Sequence, residues 1–465
     1  MIFTSPEFLF LFLPSVLILY YLLLKAKKIE ISKWFLVICS LLFYGFGSPE
    51  FFLLFIIVIL LNYIIGRYIS ENYQKDIKYR KRLLSSGIIL NILILGYYKY
   101  YNFILLNLNY FRSEKYKFIS VILPLGISFF TFQLIAYLVD SFQGKTKGYS
   151  FLNYLLFITF FPQLIVGPIV HHSDVVHQFE SLDNKEFNYK NLAIGTFLFF
   201  LGAAKKIILA DNLTGVSQEG FDRVGEISMY DAWSCAIGYT ISYYFDLSGY
   251  ADMAVGMGLL CNIHIPINFD SPYKARNFAD YWRRWHITLS KFLGDYIFRS
   301  IYNKGDNSIR FYFAVMFTFF VSGIWHGAGY NFIVWGILNG VLVCLAHYSI
   351  RNNLKFPYIL SWSMTFLFIV FMRVLFVSED LYQAFQFFQR MLIPKGDNLM
   401  SMNFIIEGKL FILVLGFLIC ILSPNSMELK ENFQFNKKYL IISILLIFIV
   451  ISYIGNVNKF LYFQF

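Results

Sequence analysis

The sequence predicts an all-α polytopic membrane protein, and three observations carry that expectation. Of its 465 residues 58% are hydrophobic and 21% aromatic, and only 14% are charged, where a soluble domain carries about 25% charged residues. Apolar runs recur from one end to the other, many near the ~20 residues that a bilayer crossing needs. The polar gaps between them are basic, and the net charge is +11. In a membrane protein that surplus reads first as cytoplasmic loops. Attraction of an anionic substrate is the weaker inference, and no nucleic-acid partner is expected. Five scattered cysteines without CxxC spacing read as packing residues, not as a disulfide or zinc framework. With no repeat and no soluble segment, residues 1–465 read as one membrane domain.

The elements come in chain order. Phe8 to Leu24 is a first span, without the basic start or cleavage site of a removed signal peptide. Trp34 to Phe46 and Phe51 to Ile65 form a pair across Gly47 to Glu50. The basic stretch Arg67 to Arg82, with Lys25, Lys27 and Lys28, is expected inside, which places the N-terminus outside. Leu83 to Tyr98 is the next span. Ile119 to Val139 is interrupted by Pro124 and Gly126, and Phe151 to Val170 carries Pro162, Gly167 and Pro168. Such breaks suggest broken helices around a cavity, because freed backbone groups need partners in a membrane. Leu192 to Leu209 is apolar except for Lys205 and Lys206, which are expected to snorkel to an interface. Tyr230 to Leu260 is long and contains Asp246 and Asp252. Phe356 to Val377, Leu410 to Leu422 and Tyr439 to Ile454 complete a set of about eleven transmembrane helices, with shorter re-entrant or interfacial helices such as Leu381 to Leu392.

Chemistry concentrates in three places. Phe311 to Ile350 is a forty-residue stretch without Asp, Glu, Lys or Arg. It predicts two spans and a hairpin at Gly327 and Gly329, with His326 at the break and His347 near an interface. A histidine at membrane depth suggests a functional site, against the alternative of a packed, hydrogen-bonded imidazole. Ile263 to Arg310 holds eight basic residues and four Asp. Inside it, Phe278 to Ile297 has helical periodicity and a wet face with Arg283, Arg284 and Lys291. These arginines, beside Trp285 and His286, bind either lipid phosphates or a phosphorylated cytosolic donor. Asp246 and Asp252, about 240° apart on a helix, are expected to pair with Arg283, Arg284 or a histidine as structural or orienting carboxylates. His171, His172 and His177 lack metal-site spacing and no second cluster accompanies them, so no metal is expected. There is no Walker loop, dinucleotide fingerprint or nucleophile elbow.

Four motifs then resemble a known family in combination: Leu123-Pro-Leu-Gly-Ile-Ser-Phe129, Phe245-Asp-Leu-Ser-Gly-Tyr-Ala-Asp-Met253, Tyr281-Trp-Arg-Arg-Trp-His-Ile-Thr-Leu-Ser290 and Gly323-Ile-Trp-His-Gly327. The chain resembles the membrane-bound O-acyltransferases, and within them the bacterial alginate and peptidoglycan O-acetylating membrane subunits. His171 stands where the alginate branch often carries Arg. The motif-bearing core is about 119–350. The resemblance implies a helical fold with a tunnel between the membrane faces, in the bacterial cytoplasmic (inner) membrane. It implies acetyl-coenzyme A as cytosolic donor and no cofactor. It also implies a separate extracytoplasmic transferase of the SGNH type, which passes acetyl to a cell-wall or exopolysaccharide polymer. By motif, His326 is the family histidine and His286 the second one.

The expected chemistry is acyl transfer with His326 as general base, Arg283 and Arg284 at the donor mouth, and Trp285 and Trp325 excluding water. The rival enzyme reading is D-alanyl transfer from a carrier-protein thioester, as in teichoic-acid modification. The non-enzyme rival is a transporter or channel, against which no pair of interrupted helices occupies corresponding halves. The end, Lys459 to Phe465, is either an aromatic interfacial anchor or a tail whose Tyr462 accepts acyl transiently. A tyrosyl ester suits a relay, because phenol leaves more readily than an alkyl alcohol.

Overall fold

The structure is a computed structural model that describes residues 2–73, 76–112, 116–394 and 408–454. All regular elements among the described residues are helices. Eight are long and apolar enough to cross a membrane: Glu7–Lys25, Ile29–Gly47, Pro49–Glu71, Ile77–Tyr110, Tyr189–Asp222, Ser308–His326, Tyr330–Arg351 and Tyr358–Val377. Ile127–Phe142 and Leu410–Leu422 are shorter and apolar. Two compact units divide the chain: Met1–Phe199 with Met253–Pro266, and Phe200–Asp252 with Ile267–Phe465.

In the first unit the Phe8 ring packs among Phe3, Phe43, Phe161 and Phe199, with ring centroids 5.1–6.5 Å away. The buried amides of Asn62 and Asn91 donate to each other at 3.1 and 2.7 Å, which satisfies polar groups between two apolar helices. Gly126 takes a left-handed φ of 71° and the Ile127–Phe142 helix starts after it. A side chain there would be strained, and its Cβ would lie 3.2 Å from the Leu164 and Ile165 carbonyl oxygens. The apolar run Phe151 to Val170 is not one span. Its helix covers only Phe151–Thr159, because Pro162, Gly167 and Pro168 keep the rest of the run from continuing it. His172, buried, meets Asp140 through Nε2 at 3.0 Å and the Tyr149 hydroxyl through Nδ1 at 2.8 Å.

In the second unit Ser308–His326 and Tyr330–Arg351 form the expected hairpin with the turn at 327–329. Glycines let the two backbones meet: a Cβ on Gly336 would lie 2.5 Å from the Phe319 carbonyl oxygen. Lys205 and Lys206 do not snorkel. Lys206 is 1% exposed and its Nζ lies 2.5 Å from Asp246 and 2.8 Å from Asp211. Lys205 Nζ lies 2.6 Å from Asp252. The segment Lys205–Ala210 is wound as a π-helix, and Gly249 admits a backbone approach in which a Cβ would be 2.6 Å from the Gly202 carbonyl oxygen. That closeness brings consecutive lysines within reach of both carboxylates. Asp246 and Asp252 are therefore joined to lysines, and the expected pairing with Arg283 or Arg284 is corrected.

Candidate functional site

The periodicity of Phe278 to Ile297 predicts one helix, yet the structure breaks it. Phe278–Arg284 ends at Trp285, which is extended, and His286 comes next with φ 46° and ψ 52°, outside the eight candidate spans. Left-handed backbone is uncommon for a non-glycine residue, though histidine tolerates it better than most. A neighbouring stretch of backbone holds the break. Ile287 N–H donates to the Asn268 carbonyl at 2.9 Å, the Asn268 side chain accepts from Thr288 N–H at 3.1 Å and from its hydroxyl at 3.0 Å, and Asp270 N–H donates to the Arg284 carbonyl at 2.9 Å. The reversal buries both Trp285 and His286 and turns them into a pocket that His326 also lines.

That pocket lies wholly within the second unit. Around His286 and His326 its walls include Tyr243, Tyr281, Trp282, Trp285, Trp335 and Asn339, and Arg373 with Phe376 from the Tyr358–Val377 helix. The cavity between these side chains is about 20 Å³, room for about one water. His326 is enclosed edge-on by rings: Trp325 at 4.8 Å, Trp335 at 5.0 Å and Phe376 at 5.1 Å between centroids. Trp285 stacks with Tyr243 at 5.9 Å and Tyr281 at 5.7 Å. Trp282 Nε1–H donates to the Asn339 side-chain oxygen at 3.3 Å. Burial pushes the His286 imidazole down to about 3, because a charged ring would lose its hydration there. It is neutral at physiological pH and can exchange hydrogen bonds without carrying charge.

The predicted residues sort by position. His286, Trp285 and His326 share the pocket. Trp325 is buried and touches His326 but does not line the space. Arg283 is exposed, and its Nε–H donates to the Ala279 carbonyl at 3.2 Å. Arg284 is tied to Asp280 at 3.1 Å and Asp270 at 3.6 Å. Neither arginine lines the pocket. Asp246 and Asp252 lie in the lysine network instead. Tyr462 falls outside the described residues. Among the described residues no group of three His, Cys, Asp or Glu is arranged to hold a metal ion.

Sequence reasoning passes over Arg373, which is 6% exposed. A lone arginine inside the apolar run Phe356 to Val377 is the available signal, since a charge at membrane depth marks function.

Comparison with known proteins adds the lineage. Residues 50–378 match the model of the membrane-bound O-acyltransferase family. The chain is 37% identical to a peptidoglycan O-acetyltransferase of Helicobacter pylori, over 87% of this chain and 82% of that one. It is 34% identical to a protein named probable alginate O-acetylase AlgI of Pseudomonas aeruginosa, over 84% of this chain and 75% of that one. A teichoic acid D-alanyltransferase of Bacillus subtilis is 28% identical over 56% of this chain and 67% of its own. The matched model spans the hairpin, the broken helix and every residue of the pocket, so this multi-pass membrane chain belongs to the membrane-bound O-acyltransferase family.

Proposed function

We propose that this acyltransferase moves an acetyl group from cytosolic acetyl-coenzyme A across the bacterial inner membrane, for O-acetylation of an extracytoplasmic cell-wall or exopolysaccharide polymer. The observation that carries the reading is the meeting of His286 and His326 in one pocket walled by aromatic rings. His326 takes the proton of the acceptor hydroxyl, work suited to an imidazole near neutrality. Neutral His286 orients the donor carbonyl or the acceptor through a hydrogen bond. The rings exclude water, which would otherwise hydrolyse the thioester. An SGNH-type transferase outside the membrane would receive the acetyl group, and Tyr462 is the relay on this chain.

Peptidoglycan is the favoured polymer, since the peptidoglycan-acetylating relative is matched at higher identity and over more of this chain than the alginate one. D-Alanyl transfer remains the second reading, supported by the shorter match to the teichoic-acid enzyme.

In cells that carry His326→Ala, polymer-bound acetate should fall to the background of a deletion strain while the protein stays in the membrane. Near-wild-type acetylation with His326→Ala would remove that histidine from the mechanism. Donor choice separates the two enzyme readings: D-alanine transfer from a charged carrier protein, with acetyl-coenzyme A inert, would favour the second.

A further inference from the structure

Arg373 is the permanently charged side chain among the described residues that line the pocket. It forms no salt bridge among them. Its guanidinium is stacked: its carbon sits 3.8 Å from the centroid of the Tyr243 ring, 5.2 Å from Trp285 and 5.4 Å from Phe376. The buried Nε has no hydrogen-bond partner. A largely buried guanidinium without a salt-bridge partner is costly, and the ring faces together with the neighbouring Tyr243 and Tyr281 hydroxyls offset only part of that cost. Such a group is kept where negative charge arrives during function.

Its position says which charge. Phe376 packs near both the guanidinium and His326, 5.4 Å from the first and 5.1 Å from the second. Trp285, 5.2 Å from the cation, is the chain neighbour of His286. Arg373 is the one permanent cation in the pocket's described lining, which matches a single developing negative charge better than a pyrophosphate.

We infer that Arg373 is the oxyanion receptor of the transfer, an inference that rests on the acyl-transfer reading above. The acceptor oxygen bonds to the thioester carbonyl carbon, and its proton passes to His326. The carbonyl π electrons move onto oxygen, and this negative charge is balanced by the Arg373 guanidinium. When the carbonyl re-forms, the carbon–sulfur bond breaks and the thiolate takes the proton back from His326. Thioester and alcohol have become ester and thiol. A guanidinium stays charged at every working pH, so its contribution does not compete with the proton traffic at His326.

The test uses the full chain in native membranes with radiolabelled acetyl-coenzyme A, comparing Arg373→Met, which keeps length without charge, and Arg373→Lys. Loss of an oxyanion donor lowers kcat by about 10²–10³-fold, so Arg373→Met should do this with donor KM within about threefold, and Arg373→Lys should recover roughly tenfold of the loss. In the purified chain, the tetrahedral anion methylphosphonate should perturb tryptophan fluorescence in the wild type and not in Arg373→Met. An unchanged kcat in Arg373→Met would overturn the inference. So would a raised donor KM at constant kcat, or equal loss of activity and thermal stability in both variants, which would mark Arg373 as a clamp for Tyr243 and Trp285. If the wild type ignores acetyl-coenzyme A but still binds methylphosphonate through Arg373, the donor reading fails and the receptor stands. If the wild type is active and methylphosphonate binds both proteins alike, the receptor fails and the donor reading stands.

Discussion

His286 is held neutral in a place its unfolded form never occupies. Its imidazole is pushed down to about 3 in the fold, against about 6.5 in an unfolded chain. Below pH 6.5 the unfolded state therefore binds a proton that the folded state refuses. Stability contributed at this site is fully present above pH 6.5 and falls as pH drops toward 3, at up to about 1.4 kcal/mol per pH unit. His286→Asn, which tolerates the left-handed backbone, should flatten that slope in thermal melts between pH 6.5 and 4. An identical slope would mean that His286 is hydrated. Arg283 and Arg284, adjacent in sequence, should separate in kinetics. Arg283 is exposed, whereas Arg284 is engaged by Asp270 and Asp280. Arg283→Ala is expected to raise donor KM with kcat retained, by the roughly 1.5–3 kcal/mol of a charge-assisted contact. An unchanged KM would leave Arg283 a lipid contact.

At the scale of elements, legibility depends on whether the chain carries its own punctuation. The hairpin around His326 is readable because forty uncharged residues exceed one crossing and Gly327 and Gly329 mark the turn. The expected span Ile119 to Val139 is readable only in part: Pro124 and Gly126 mark the break, but residues 119–126 are not helical and the helix is Ile127–Phe142. The reversal at Trp285 and His286 is not readable, since neither residue breaks a helix by propensity and the cause lies elsewhere, in Asn268 and Asp270. The lysines mislead because a cation in an apolar run can snorkel or pair, and only a neighbouring helix decides. That network makes a stability prediction. Lys206→Met strands Asp246 and Asp211, and breaking a buried pair costs about 3–5 kcal/mol. A clear loss of Tm in detergent is expected, with partial recovery in Lys206→Met with Asp246→Asn. A wild-type Tm in the single variant would show that the pair is not formed.

Across the whole molecule, the second unit gathers the candidate pocket from segments far apart in the chain: Tyr243, the 278–286 reversal, the hairpin and Arg373. Local patterns locate each segment, but their convergence is tertiary, which is why Arg373 escapes the sequence reading. The proposed relay at the far end of the chain has its own test. Tyr462→Phe keeps the ring and removes the hydroxyl, so polymer acetylation should be lost; normal acetylation would leave the tail an anchor.

The central claim is that acetyl crosses the membrane through the pocket of His326 and His286. Inverted membrane vesicles expose the cytosolic face, and acetyl-coenzyme A does not cross the bilayer. With the label supplied outside, wild-type vesicles should accumulate acetyl on polymer in the lumen, and His326→Ala vesicles should accumulate none. Equal lumenal labelling in the two, or none in the wild type while a charged carrier protein delivers D-alanine, would contradict the account.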